Sequence, residues 1–264
     1  MIPVALTIAG SDNSAGAGAQ ADLKTFTALG VYGLTSITCV VAEVPGKVSA
    51  IMPVPPEIVA EQVRLSLAAY PIAAAKTGML YSAVIIEAVA AVLQPARLTL
   101  VVDPVMIASS GDPLLEPDAV EAYKRLLFPL ATLVTPNLLE AAALWGRPVK
   151  TLDDMRQAGR ELSACYGCAF LLKGGHLANE AADLLVTSEG QEEIFTAARI
   201  PDISTHGTGC TLSAAIAAGL ANGKLLPEAV ACAKTYITRA IAASHRWQTP
   251  EGETQALNHQ AHIE

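Results

Sequence analysis

The sequence predicts a three-layer α/β/α fold around a mostly parallel central sheet, and three observations carry that expectation. Apolar runs of strand length alternate with longer segments at helical spacing along most of the chain. The runs are continuously apolar, as strands buried on both faces are, and do not alternate as half-exposed strands do. Glycine, proline or polar residues close the runs where turns into helices fall.

In order, strands are expected at 4–10 (VALTIAG), 34–42 (LTSITCVVA), 72–76 (IAAAK), 98–103 (LTLVVD), 132–136 (TLVTP) and 169–175 (AFLLKGG). Helical spacing places helices at 17–29, 56–69, 82–93, 117–127 and 137–145 between them. After Gly174 the texture changes, and 181–200 (AADLLVTSEGQEEIFTAARI) reads as a short antiparallel pair turning near Glu189 and Gly190. Two alanine-rich helices follow at about 208–221 and 227–244, and the polar tail from about Gln248 is expected to be only partly ordered. No Gly/Ser linker, repeat or low-complexity tract divides the 264 residues, so they read as one domain.

Composition narrows the function. With 52% of residues hydrophobic, the chain can bury a sizeable core. A net charge of −8 without any basic block lacks the electrostatic footprint of a nucleic-acid binder, and small molecules are the expected partners. No uncharged apolar stretch reaches the roughly 18 residues of a membrane span. The opening MIPVALTIAG lacks the positive start and cleavage pattern of a signal peptide and reads as a first strand. Five scattered cysteines fit free thiols in a reducing cytoplasm. Cys165 and Cys168 have C-x-x-C spacing, but they lie before a strand, without a thioredoxin-like context, and read as structural.

In open parallel sheets ligands bind beyond the carboxyl ends of the strands. The segments there are GSDNSAGAGAQAD (10–22), AEVPGK (42–47), KTGM (76–79), DPVMIASSGD (103–112), TPNLLE (135–140), KGGH (173–176) and THGTGC (205–210). Their polar and glycine residues gather on one rim, which argues for an enzyme site. Two of them are glycine-rich turns into helices. Gly16-Ala17-Gly18-Ala19-Gln20-Ala21 matches the G-x-G-x-x-A pattern of dinucleotide binding, with Glu43 where a ribose-binding acid would sit. Against that reading, GSDNSA separates the pattern from its strand and pushes the tight turn off the sheet edge. Gly207 to Cys210 set successive backbone N–H groups at a helix start, where unpaired donors and the macrodipole favour an anion. No G-x-x-x-x-G-K-[ST] motif exists, so a nucleotide would be held by other means than a P-loop.

The strings LTIAGSD, GAGAQADLKTF, KTGML, VVDPVM, SGDPLL, TPNLLEAAAL, LLKGGH and THGTGCTLSAAIAA occur in this order. Together they resemble the hydroxymethylpyrimidine and phosphomethylpyrimidine kinases of thiamine biosynthesis, members of the ribokinase-like superfamily. The resemblance covers about residues 3 to 245, with an echo at Ala256-Leu257-Asn258-His259. It implies a ribokinase-like fold and phosphorylation of 4-amino-5-hydroxymethyl-2-methylpyrimidine, then of its monophosphate, with ATP and Mg²⁺. Relatives are commonly dimers, so a homodimer is implied as well.

Residue by residue, the resemblance places Cys210 where most ribokinase-like enzymes carry an aspartate base. Gly207, Thr208 and Gly209 form the anion hole before it, and Thr208 also meets the nucleotide. A thiol at a helix N-terminus has a lowered pKa, so a thiolate near neutral pH is expected; a small buried apolar cysteine is the alternative. Asn137 and Glu140 share one helix face and are implied to reach Mg²⁺ and nucleotide largely through water, against a plain capping pair. Asp103 is expected at the metal, or only at a turn. Lys173 is expected at the nucleotide phosphates, or only at the surface. Substrate recognition maps to Asp22, Glu43, Met79 and the backbone at Gly10. Glu43 would accept from the amino group and Met79 would wall the ring, while Asp22 has a solvated helix charge as its alternative.

The chain departs from the family pattern in three places. Val44-Pro45 stands where relatives carry Asn-Thr, Ser109 stands for a lysine before the lid segment Ser110-Gly111-Asp112, and Ala15 replaces a frequent glycine with little expected effect. The nearest alternative is a pyridoxal kinase on the same scaffold. Those relatives tend to carry Met at the place of Glu43 and a second cysteine in the lid, and this chain has neither. A catalytically silent binding protein is disfavoured because metal, anion and base positions are all filled.

Overall fold

The chain opens with strand β1 (Val4–Asp12), helix α1 (Gly18–Ala28), β2 (Tyr32–Val44), β3 (Lys47–Pro53), α2 (Pro56–Ala69), β4 (Ile72–Thr77), α3 (Ala83–Ala96) and β5 (Thr99–Val102). A short helix α4 (Ala119–Ala122) continues through a π turn and a 3-10 turn into β6 (Leu133–Val134), α5 (Leu138–Trp145), α6 (Leu152–Tyr166) and β7 (Ala169–Gly174). Strands β8 (Ala181–Val186) and β9 (Glu192–Ala197), helices α7 (Thr208–Ala221) and α8 (Leu226–Ala242), and the hairpin β10 (His245–Thr249) and β11 (Gly252–Ala256) complete it. The structure is a computed structural model that describes residues 1–106, 115, 118–175, 181–201, 206–250 and 252–261. The expected lid at 109–112 lies outside the described residues.

Nine strands form one sheet in the order β3-β2-β1-β4-β5-β6-β7-β8-β9. From β2 to β7 all neighbours are parallel, while β3 and β8 join antiparallel and β9 pairs antiparallel with β8. The continuous apolar runs follow from burial on both faces. In β1, Leu6 and Ile8 enter the core shared with α2 and α3, whereas Ala5 enters the core of α7 and α8. Helices α2 to α6 therefore cover one face, and α1, α7 and α8 the other, which is the three-layer architecture expected. Helix α7 buries ten of its residues, almost all small, and so lies flat between the sheet and α8. A Cβ at Gly219 would come within 3.0 Å of Ala229, so glycine sets how closely α7 and α8 approach.

Three elements were not legible. Strand β3 is mostly exposed, ends in Pro53 and carries no continuous apolar run. Helix α6 has the period-3.6 core face Met155, Ala158, Gly159, Leu162 within a polar, charge-rich segment. The tail, expected to be partly ordered, instead forms the β10–β11 hairpin and then sinks Leu257 and His259 to 5% exposure each. Two buried anchors outweigh its polar composition.

Strand β1 connects to β2 on one side, and β4 lies on its other side. The direction of winding reverses there, so the crevice beyond β1 and β4 is where an open parallel sheet receives its ligand.

Candidate active site

Asp12 ends β1 and organises the turn into α1. Its carboxylate accepts from the backbone N–H groups of Ser14 at 2.7 Å, Gly16 at 3.1 Å and Ala17 at 2.8 Å, and from the Ser14 hydroxyl at 2.9 Å. His206 Nε2 lies 3.1 Å from Asp12 Oδ2, across 194 residues of chain. His206 immediately precedes Gly207, whose φ of +78° only glycine adopts readily, and a Cβ at Gly207 would overlap the carbonyl oxygen of Gly16. The two glycine-rich turns therefore pack backbone to backbone. Gly16 and Ala17 spend on Asp12 the donors that a pyrophosphate would need, which removes the physical basis of the dinucleotide reading.

Burial alone would push Asp12 up, but His206, Ser14 and Ala17 outweigh it and hold the carboxyl at about 2, below its ordinary 3.8. Burial works against charge on His206 too, yet its bond to Asp12 and the charges of Asp12 and Glu43 raise it on balance. Asp12 thus stabilises the fold fully above pH 3.8 and loses that contribution as pH falls through 2. Asp12→Asn is expected to be less stable at pH 6, and the gap to the parent should narrow by about 1 kcal/mol by pH 3. Urea midpoints at the two pH values measure it; a constant gap would contradict the ion pair.

The same turn holds Ala15 at φ +57°, the left-handed region. The glycine frequent there in relatives would relieve strain of about 1 kcal/mol, partly offset by its greater freedom in the unfolded chain. The substitution is therefore not without effect, and Ala15→Gly should gain about 0.5 kcal/mol in denaturant unfolding.

Glu43 sits at a register shift between β2 and β3, and Gly10 at one between β1 and β2. Such bulges re-aim side chains at strand ends. The Glu43 carboxyl lies within 4.8 Å of ligand atoms of both Asp12 and His206. Burial and then Asp12 push its pKa up, with His206 opposing. Asn13 fixes the Glu43 backbone by accepting its N–H at 2.7 Å. An apolar wall is formed where Met79 Sδ is 3.9 Å from Cys39 Sγ, and a Cβ at Gly10 would lie 2.8 Å from the Cys39 sulphur. Gly10 and Met79 thus meet at Cys39, while Glu43 is placed beside Asp12 and His206.

Asp22 is neither a solvated charge nor an open contact. It is fully buried, with Lys76 Nζ 2.8 and 3.0 Å from its two oxygens and Thr7 Oγ1 donating at 2.5 Å. A substrate contact by Asp22 would have to pass through that pair.

Asp103 is also buried. It accepts from Lys173 Nζ at 2.9 Å, Thr135 Oγ1 at 3.1 Å and Ser213 Oγ at 3.1 Å. Lys173 is therefore not a surface lysine: a Cβ at Gly209 would lie 3.2 Å from its Nζ, so the ammonium sits against the Gly207–Gly209 turn. Asn137 caps α5, and with Glu140 it forms a complete capping box. The second Glu140 oxygen accepts the Met106 N–H at 3.0 Å. The plain capping pair is therefore present.

Cys210 stands in the first turn of α7, half-buried. The expected lowering of its pKa does not occur. Burial pushes the thiol up to about 11; Lys76 pulls against this, while Asp22 and Asp103 add to it. Desolvation exceeds what the helix N-terminus and one lysine return.

The phosphomethylpyrimidine kinase model matches residues 12–255 of this chain. The chain belongs to the phosphomethylpyrimidine kinase family. The hydroxymethylpyrimidine/phosphomethylpyrimidine kinase of Rhizobium meliloti is 46% identical over 254 residues, covering 96% of this chain and 95% of that protein. Among solved structures, an ADP complex of Bacillus subtilis pyridoxal kinase superposes with a TM-score of 0.90 at 38% identity, covering 99% of this chain and 98% of that one. The phosphomethylpyrimidine kinase of Clostridium difficile 630 gives 0.81 at 41%, covering 90% and 99%. As a phosphomethylpyrimidine kinase family member the chain is a phosphotransferase with a ribokinase-like fold. In this kinase site the sequence reading missed Asp12, Lys76, His206 and Ser213. The first three stand inside the strand-end strings, but only burial and pairing mark them out.

Proposed function

We propose that the chain transfers the γ-phosphoryl group of ATP to the hydroxymethyl oxygen of 4-amino-5-hydroxymethyl-2-methylpyrimidine, and then phosphorylates the monophosphate, in thiamine biosynthesis. The observation that carries this reading is the joined pair of glycine turns, with the Glu43 carboxyl beside Asp12 and His206, the Met79 wall at Gly10, and Cys210 in the first turn of the helix that starts at Gly207. A carboxylate at Glu43 suits the exocyclic amino donor of an aminopyrimidine. The α7 turn at Gly207, Thr208 and Gly209 suits the charge on a transferring phosphoryl group, with Lys173 beneath it. Cys210, as its thiolate, accepts the hydroxyl proton as the oxygen–phosphorus bond forms and ADP leaves.

Asp103 and Glu140 suit Mg²⁺ as an all-oxygen pair. Burial raises Glu140; Lys173 opposes this and Asp103 adds to it, so two carboxylates share one ammonium. Their existing hydrogen bonds leave lone pairs for waters of a hydrated ion, which would neutralise nucleotide phosphate charge. Asn137, already the cap of α5, would act beside Glu140 at the nucleotide. The cytoplasmic homodimer belongs to the same reading. No helix among the described residues is long and apolar enough to cross a membrane.

The test is product mass after incubation with ATP, Mg²⁺ and the pyrimidine alcohol. The expected result is the monophosphate followed by the diphosphate; an unchanged alcohol would overturn the reading.

A further inference from the structure

The end of the chain returns to the site from behind. After the exposed β10–β11 hairpin, Leu257 and His259 are buried, and Asn258 N donates to Ala240 O of α8 at 3.2 Å. Tyr236 of α8 donates its hydroxyl to the His259 carbonyl at 2.7 Å. The His259 ring reaches Thr211 of α7, with Nε2 3.0 Å from Oγ1. Thr211 follows Cys210 directly and is fully buried. Lys24 of α1 is close enough to weigh on His259 electrostatically, and its ammonium holds the Ala15 carbonyl of the first glycine turn at 2.7 Å. The strap therefore bonds to α7 and α8 and lies within electrostatic reach of Lys24 on α1.

Helix α7 gains an anchor there. Its N-cap is Gly207, which has no side chain, so no N-cap side chain holds the first turn. A threonine within a helix ordinarily returns its hydroxyl to the carbonyl one turn back, but Thr211 Oγ1 bonds the imidazole. Burial, with Lys24, brings His259 down to about 4, so the ring is neutral and its bond to Thr211 survives across the working pH range.

We infer that His259 is a positioning residue for phosphoryl transfer: the C-terminal strap, through the Thr211–His259 hydrogen bond, fixes the α7 turn that carries Cys210. This rests on the kinase reading of that turn. His259→Ala should lower kcat about tenfold or more, with the KM values for ATP and alcohol changed by less than about threefold, the split expected of misplacement of reacting groups rather than lost binding. His259→Gln, which can still bond Thr211 Oγ1, should recover most of the loss. Thr211→Val should lower kcat similarly, and adding His259→Ala to it should lower kcat little further.

Iodoacetamide alkylation of Cys210, read by peptide mass, needs no turnover and should quicken several-fold in His259→Ala and not in the hairpin variant Trp247→Ala. Should the parent chain phosphorylate nothing, the kinase reading falls while the alkylation rates still judge the strap. Parental kcat and alkylation in His259→Ala would overturn it. So would equal losses in the alanine and glutamine variants, or a double variant whose losses multiply.

Discussion

Cys210→Ala is expected to lower kcat by about 10² to 10⁴-fold, with nucleotide affinity little changed. In the proposed mechanism the residue is a proton acceptor, whereas the Gly207–Gly209 turn would act through backbone N–H groups that the substitution leaves in place. The pH dependence separates this role from simple packing. With the thiol pushed up to about 11 by burial, only about 1 in 10⁴ molecules carries a thiolate at pH 7. That fraction rises tenfold per pH unit until the pKa is reached. The parent enzyme should gain rate from pH 7 to 9, and Cys210→Ala should be flat over that interval. Parallel profiles would remove Cys210 as the base.

Lys76→Met is expected to produce the largest stability change, about 3–5 kcal/mol. Lys76 and Asp22 are both fully buried, so removing the ammonium leaves a carboxylate shielded from solvent, with Thr7 as its remaining hydrogen-bond donor among the described residues. Desolvation already raises Asp22 even with the lysine present. The double change Asp22→Leu with Lys76→Met should regain most of the lost stability, because a buried ion pair is worth little more than apolar residues of like volume. Activity should not return with it, since Lys76 is the cation that opposes the upward pull on Cys210. Urea unfolding beside kcat measures both; recovery of rate in the double variant would show the pair to be purely structural.

These two residues mark the limit of what was legible. Cys210 stands in a string, THGTGC, whose glycines and helix start announce an anion site, and α7 occupies 208–221 as its spacing predicted. Lys76 reads as nothing more than the polar end of an apolar strand. Its importance comes from burial beside Asp22, 54 residues earlier, and sequence spacing holds no record of such a pair. Asp12 and His206 are alike in this respect, since 194 residues separate them.

The parallel strands were readable because burial on both faces leaves a continuous apolar run. Strand β3 and the tail were not, because an edge strand needs no such run and the tail is anchored by only two buried residues. The direction of the Cys210 shift was misjudged for a related reason. A helix N-terminus is visible in sequence, while the burial that overcomes it, with Asp22 of α1 and Asp103 just beyond β5 adding to it, is assembled from residues distant in the chain.

The measurement that bears most directly on the account is the ratio of kcat/KM for 4-amino-5-hydroxymethyl-2-methylpyrimidine to that for pyridoxal, both with ATP and Mg²⁺. The proposed recognition of the pyrimidine amino group by Glu43 predicts a ratio well above ten for the parent chain, falling toward one in Glu43→Leu. A parent ratio below one, with pyridoxal the preferred alcohol, would contradict it.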